Sequence, residues 1–587
     1  LSGIGSLTSG LLLVVLFAAY RFGGFSAQGP VDKVVQLVLL VPAVFLLSWF
    51  GSGRFRGDLA SRILTRLDGI PLKRFLAVLS LFLLLFTIWM AYGPLEGIPK
   101  GGDEAAYFFQ SRIYAGGELA APAPEVSDPG AFFPYRHFLF RDGRWFIMYT
   151  PFHSAVMAPF SAGGIAPLLG PLEGLVSLIG MFLLVRLWAG ERVARISTVL
   201  LLFSPFFLFM TGSFMAHNTN LMLITWSLYM ISRRSMGGGL TFGLAGGFLL
   251  GLAVCTKPYP VIAWGVFLLV AVAAGGRGSW RRILFPVAAG VLLPVALLLA
   301  ANLYYTGSPL RTAYDLARGG SLLGFGPDKA WYPVYGDYAH TPLRGLMNLA
   351  QQIGTGSTIL FGWPLISLLP AMVALRAVRA DRRILWLFLP IVLFVPLMII
   401  HYSPSIDYGP RHYFTFLPLI MLLSVIGLRE GVRIARSRWG TRGGSVTVLL
   451  ATGLFLITFL VYIPDGVTLR SGPWQAIDRE PARLADSLVT PPAIVFMQAG
   501  EHGYPNVMSG VNFDSPWLDD DVIFCAHQTT LEDREFMLVY PDRNAYLFWF
   551  DGAHSHIDVW SEELAEKILP TRDMEYHPFV TGGGGAR

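Results

Sequence analysis

Two adjacent carboxylates, Asp103 and Glu104, stand in the run Pro99-Lys100-Gly101-Gly102-Asp103-Glu104-Ala105-Ala106-Tyr107, directly behind an apolar stretch long enough to cross a bilayer. A carboxylate at a membrane surface, shielded from water and beside a second one, has its pKa raised toward the range of a working base. The same pair equally suits the first turn of a helix over 105–114, where acidic side chains complement the dipole. The stretch that follows, through Phe132-Phe133-Pro134-Tyr135-Arg136-His137 and Trp145 to His153, is aromatic and low in charge. Such a loop suits anchoring at the headgroup belt, and aromatic faces with a few polar groups also suit stacking on a sugar.

Cations stand at two other mouths of apolar stretches. Lys257, one of six lysines, interrupts Cys255-Thr256-Lys257-Pro258-Tyr259-Pro260. A cation inside a membrane costs about 2.5–3.5 kcal/mol at the centre and less near the interface, so Lys257 needs an anionic partner or must snorkel to the headgroups. Arg411 follows Tyr408-Gly409-Pro410 and precedes His412, with His401 across the same loop. Arginine forks onto phosphate with two parallel hydrogen bonds, and it also serves as an interface anchor. Arg112, His153, His217, His401 and Tyr408 are further candidates for substrate contact. An acidic pair, two cations and several aromatics on one side of a membrane form a constellation for group transfer from a lipid phosphate. No HExxH, no Walker A loop and no Cys/His metal spacing occurs, which argues against a nucleotide cofactor and an ATP-driven transporter.

The elements that must position these residues are membrane helices. Of 587 residues 54% are hydrophobic and 14% charged, and the mean hydropathy is +0.55, so lipid is the main solvent. Spans are expected near 7–22, 32–50, 75–92, 166–188, 196–210, 218–232, 240–256, 258–274, 283–303, 357–377, 384–400, 414–428 and 445–463, about thirteen in an all-α polytopic bundle. Residues 7–20 lack the basic leader of a signal peptide and are read as a membrane helix. Arginines and lysines gather in alternate loops: Arg54, Arg56, Arg62, Arg66, Lys73 and Arg74; then Arg186, Arg192 and Arg195; Arg233 and Arg234; Arg277, Arg281 and Arg282; Arg376 to Arg383; and Arg429 to Arg442. That is the positive-inside pattern, and it accounts for the pI near 9.2 without nucleic acid. It sets the N-terminus in the cytoplasm and the segments 93–165, 304–356 and 401–413, with the tail after 464, on the outer side of a plasma or inner membrane.

The chain then divides into extra helices over 1–74, a core over 75–464 with its outer loop 93–165, and a small extracytoplasmic domain over 465–587. The tail is rich in Asp, Glu, Pro and His, with short apolar runs at 493–497, 521–524, 536–540 and 545–550 that point to an α/β layout. Pro541-Asp542-Arg543-Asn544 reads as a turn between extended or mixed segments. With only Cys255 and Cys525, no disulfide framework is expected.

The order of these motifs resembles the polyprenyl-phosphate-sugar-dependent glycosyltransferases of the GT-C fold, near the protein O-mannosyltransferases and aminoarabinose transferases. The resemblance covers 75–430 and rests on Gly102-Asp103-Glu104, Ser204-Pro205 through Gly212-Ser213 and His217, Thr256-Lys257-Pro258, Asn302 through Gly307-Ser308-Pro309, and Tyr408-Gly409-Pro410-Arg411. It implies a GT-C-like core in which Asp103 is the catalytic base and Glu104 supports it or helps coordinate a metal, so that Mg or Mn stays open as a cofactor. It implies that Lys257 and Arg411 hold the phosphate of a polyprenyl-linked sugar donor, with a glycan, lipid or protein as acceptor. The two spans before the core helix and the long tail depart from that layout and leave the acceptor open. A lipid-linked glycan ligase or polymerase would place its large loop and basic residues late in the bundle. A transporter or flippase would show pseudo-symmetric halves and ionisable groups at the midplane.

Overall fold

In a computed structural model of the chain, the described residues are 3–22, 30–54, 59–135, 137–274, 278, 280–318, 323–326, 339–498 and 506–568. Arg56, Arg136 and Arg277 fall outside them. The chain is mostly helical, opening with α1 (Gly3–Phe22), α2 (Pro30–Ser52), α3 (Leu59–Gly69), α4 (Leu72–Tyr92) and α5 (Gly102–Ala115). Among the described residues five helices are long and apolar enough to cross a membrane: Val31–Ser52, Leu72–Tyr92, Ala166–Ala189, Arg281–Thr306 and the long stretch Arg411–Ala476. The protein is a membrane protein.

Among the described residues, several of the thirteen expected spans are not single straight helices. The one expected over 196–210 is a pair, Glu191–Leu202 and Pro205–Thr211, bent by 65°. Ser204 stops the first helix and caps the second by accepting from the Phe207 backbone N–H, and Pro205 takes the first helical position, where its missing N–H costs nothing. The expected span 357–377 is the end of the helix Pro342–Ile359, a turn, and the nine-residue helix Leu369–Ala377. Gly362 turns the chain there with φ +68°, ahead of Trp363-Pro364. The spans expected at 414–428 and 445–463 fall in the one stretch Arg411–Ala476, which is broken at Trp439 and Gly440. Gly5–Arg21, Leu240–Val254, Pro258–Ala274 and Ile384–Ile400 are apolar helices of 10–17 residues.

Two sheets lie outside the bundle. In the loop after α4, β1 (Ala121–Pro122), β2 (Phe138–Arg141) and β3 (Arg144–Ile147) form an antiparallel sheet in the order β1-β3-β2. In the tail, β4 (Ala493–Met497), β5 (Val522–Ala526), β6 (Asn544–Phe550) and β7 (Ser555–Val559) form a mixed sheet in the order β5-β4-β6-β7. The central strand β4 pairs parallel to both neighbours, with Val495 opposite Phe524 and Tyr546, and every residue of it is buried, as an unbroken apolar run requires. The run 536–540 ends a helix, Thr530–Val539, rather than an extended segment. A capping box fixes its start, where Thr529 accepts from the Glu532 N–H and Glu532 reaches back to the Thr529 N–H.

The loop and the tail share one hydrophobic core, separate from the apolar clusters between the membrane helices. Phe132 and Phe133 of the loop lie 4.8 and 6.3 Å from Phe536 of the tail, ring centre to ring centre. At the foot of this body the fully buried Lys100 ammonium donates to Glu96 Oε2 at 2.5 Å and to the Gly472 and Ile477 carbonyls at 2.9 Å each. Its three protons meet three acceptors, which is how an ammonium can be buried at all.

Candidate active site

Asp103 lies in the first turn of α5, whose start at Gly101 leaves free N–H groups favouring an anion. Asp103 Oδ2 faces Arg411 Nη2 at 3.5 Å and Lys257 Nζ at 3.7 Å. Its Oδ1 accepts from Tyr149 Oη at 2.6 Å and lies 3.8 Å from His137 Nε2. Three distant segments therefore converge on one carboxylate: the turn between the helices Leu240–Val254 and Pro258–Ala274 brings Lys257, the turn before Leu417 brings Arg411, and the loop brings Tyr149 and His137. Gly409, with φ +109°, makes the reversal that aims Arg411, and a side chain there would meet Phe206 at 2.9 Å and Ile359 at 3.0 Å.

These groups line a cavity of about 110 Å³, walled by Tyr149, Tyr259, Tyr314, His401, Tyr402 and His412. Tyr314 and Tyr402 share a hydrogen bond at 3.0 Å. Arg411 also binds Asp407 at 2.8 Å, while its Nε and the Nδ1 of His412 are buried without a partner among the described residues. Burial alone would push the Asp103 carboxyl up, but Arg411, Lys257, His137 and the Tyr149 hydroxyl outweigh it and hold it well below the usual carboxylate range. Burial pulls Lys257 down to about 8, against the pull of Asp103, and pulls His401 down to about 4, so that ring is neutral.

The other residues singled out from sequence stand differently. Glu104 turns away from the cavity, its Oε2 accepting from the Lys100 backbone N–H at 2.9 Å, and burial raises it to about 7. Tyr408 is fully buried beside it, against Trp474 at 4.8 Å. Arg112 is half-buried along α5 with its guanidinium over Phe108 and in the field of Asp514 and Asp520. His153 bonds Thr219 and the Phe214 carbonyl. His217 is buried edge-on to His412 at 5.6 Å, with neither ring nitrogen paired among the described residues. Of the residues named from sequence as candidates, Asp103, Lys257, Arg411 and His401 line the cavity. Sequence reasoning did not single out His137 or Tyr149 for Asp103; the signal was there in the polar residues spaced through the loop's aromatic run.

No family model and no curated protein matches the chain. Among solved structures it is similar to ArnT from Cupriavidus metallidurans bound to undecaprenyl phosphate, at 15% identity over 81% of this chain and 92% of that one, with a TM-score of 0.48. It is also similar to an oligosaccharyltransferase from Archaeoglobus fulgidus in complex with Zn and sulfate, at 13% identity over 81% and 67% of the two chains, with a TM-score of 0.47. The archaeal AglB from the same organism, in complex with an inhibitory peptide and a dolichol-phosphate, overlaps at 12% identity, 81% and 69% coverage and a TM-score of 0.42. At these values the overlap is a likeness of helical layout and fixes neither the family nor the reaction of this chain.

Proposed function

We propose that the protein is a membrane glycosyltransferase that moves a sugar from a polyprenyl-phosphate donor to an acceptor hydroxyl, by direct displacement with inversion, on the outer side of the membrane. The observation that carries this reading is the convergence of Lys257 and Arg411 on Asp103 at one cavity. Two cations beside a single carboxylate suit a phosphate that gains charge as the bond between the anomeric carbon and the phosphate oxygen breaks. The acceptor oxygen attacks that carbon from the opposite face, its proton passes to Asp103, and the polyprenyl phosphate leaves with the bonding electron pair. One base suffices for a displacement of this kind, unlike the two-carboxylate scheme of hydrolysis.

The low pKa of Asp103 gives the reaction an order. With its cations paired to it, Asp103 is a poor base. A donor phosphate competes for Lys257 and Arg411 and sets a second anion beside the carboxylate, and both effects raise its proton affinity. Asp103 thus becomes a base when the donor is in place. The residues do not fit the Mg or Mn left open from sequence, because Lys257 and Arg411 hold the side of Asp103 a divalent cation would need and Glu104 turns away. Glu104 is then a support for the turn that carries Asp103.

The test is transfer of radiolabelled sugar from a panel of polyprenyl-phosphate sugars, comparing the parent chain with Asp103→Asn at matched amounts of folded protein. Loss of roughly 10²–10⁴ in kcat is expected for removal of a general base. Undiminished activity moves the base elsewhere, and no transfer from any donor favours a ligase or a flippase.

A further inference from the structure

A second buried carboxylate lies in the bundle, and the reaction above does not use it. Glu173 sits in the second turn of the apolar helix Leu169–Ala189 and is 3% exposed. An acid inside a membrane helix is costly and calls for a named partner. Glu173 Oε1 is 2.5 Å from Thr219 Oγ1, Thr219 Oγ1 is 2.6 Å from His153 Nδ1, and His153 Nε2 is 2.9 Å from the Phe214 carbonyl.

The last contact fixes the polarity of the chain of bonds. A carbonyl only accepts, so Nε2 carries a proton. A neutral imidazole then has a bare Nδ1, which accepts the single hydroxyl proton of Thr219. The Thr219 oxygen must in turn accept from Glu173, so the carboxyl of Glu173 holds its proton. The opposite polarity would put an imidazolium and a carboxylate in an apolar setting, and burial holds His153 down to about 4, which leaves it neutral. Among the described residues the Oε2 atom of Glu173 has no partner, a modest cost for the carbonyl oxygen of a neutral acid and a large one for a carboxylate.

The chain of bonds leads to the site. The His153 ring stands edge-on to Tyr107 at 4.9 Å, Tyr107 packs on Tyr149 at 4.8 Å, and the Lys257 ammonium lies over both rings at 5.5 and 5.1 Å. Tyr149 is the residue that donates to Asp103. We infer that Glu173 is a neutral, proton-donating carboxylic acid that sets the orientation of His153 through Thr219, and with it the aromatic wall against which Lys257 and Asp103 are held. Glu173, Thr219 and His153 are positioning residues; this role rests on the transferase reading, whereas the protonation of Glu173 does not.

The experiment uses the full chain in lipid nanodiscs at neutral pH and has two arms. In infrared difference spectra between the parent and Glu173→Gln, the carbonyl stretch of a protonated carboxylic acid is present in the parent and lost in the variant. In kinetics, Glu173→Ala and Thr219→Val lower kcat by about tenfold or more, as small misplacements at a reacting centre do. Glu173→Gln and Thr219→Ser restore near-parent kcat, because an amide N–H and a serine hydroxyl remake the same bonds. Absence of the infrared band, or a Glu173→Gln variant as impaired as Glu173→Ala, overturns the inference. A parent chain that shows the band but transfers no sugar overturns the transferase reading alone.

Discussion

At the residue scale the site is a contest between burial and charge around Asp103. Lys257, drawn down to about 8, is a cation below that pH and loses its charge above it. Donor KM should therefore rise as the pH passes about 8, and Lys257→Arg, whose guanidinium stays charged, should flatten that alkaline limb in a KM–pH profile. Gly102 makes a second test. A methyl there would fall 1.6 Å from Tyr135 Oη and 2.8 Å from His137 Cε1, so Gly102→Ala must push aside the groups that face Asp103. A drop in kcat of about tenfold or more is expected, with the protein still folded by thermal scan. The convergence of this cluster was legible in the sequence because Asp103, Lys257 and Arg411 are ionisable residues at the mouths of apolar stretches. The direction of Glu104 was not, although consecutive helical residues point about 100° apart around the axis. Glu173 was overlooked despite a usable signal, a lone acid in the expected span 166–188.

At the scale of elements, the turn between α4 and α5 is tied to the tail at several points. Its end is tied down by Lys100, by the Asn512 side chain donating to the Pro99 carbonyl at 3.2 Å, and by Arg483 on Glu96 at 2.7 Å. Removing the cation leaves the buried Ile477 carbonyl and the half-buried Gly472 carbonyl unpaired, so Lys100→Met should cost about 3 kcal/mol, measured as a lower unfolding temperature and a lower denaturant midpoint. The start of α5 was legible from the glycines and acids that open it. The bends at Ser204-Pro205 and Gly362 were not, because they sit inside apolar sequence that reads as continuous, whereas the break at Trp439 and Gly440 falls in the basic run Arg429 to Arg442 that separates two expected spans. Hydropathy records what a segment is dissolved in and leaves the path of its axis open.

For the whole molecule, the loop that carries Tyr149 and His137 and the tail that carries the four-stranded sheet behave as one body in packing. Phe536 is fully buried between the two, against Phe132, Phe133 and Phe496. Phe536→Ala should cost about 3–5 kcal/mol, and hydrogen exchange should quicken together in 98–147 and 493–557 as a single cooperative unit. Exchange rising in the tail alone would show two independent bodies. The composition shift near 465 made the tail visible in the sequence, but pairing across such a distance leaves no periodic trace, so its shared core with the loop was out of reach.

That shared core has a consequence for how the chain is made. Lys100 finds its Ile477 acceptor 377 residues later in the sequence, and at about 5–20 residues per second of synthesis the loop waits roughly 20–75 s for its other half. During that interval the loop has left the ribosome with its aromatic face uncovered, on whichever side of the bilayer the tail will reach. A ribosome that stops before residue 477 thus releases a chain whose helices are made and whose Lys100 lacks the Ile477 acceptor, so the tail completes a loop translated long before it.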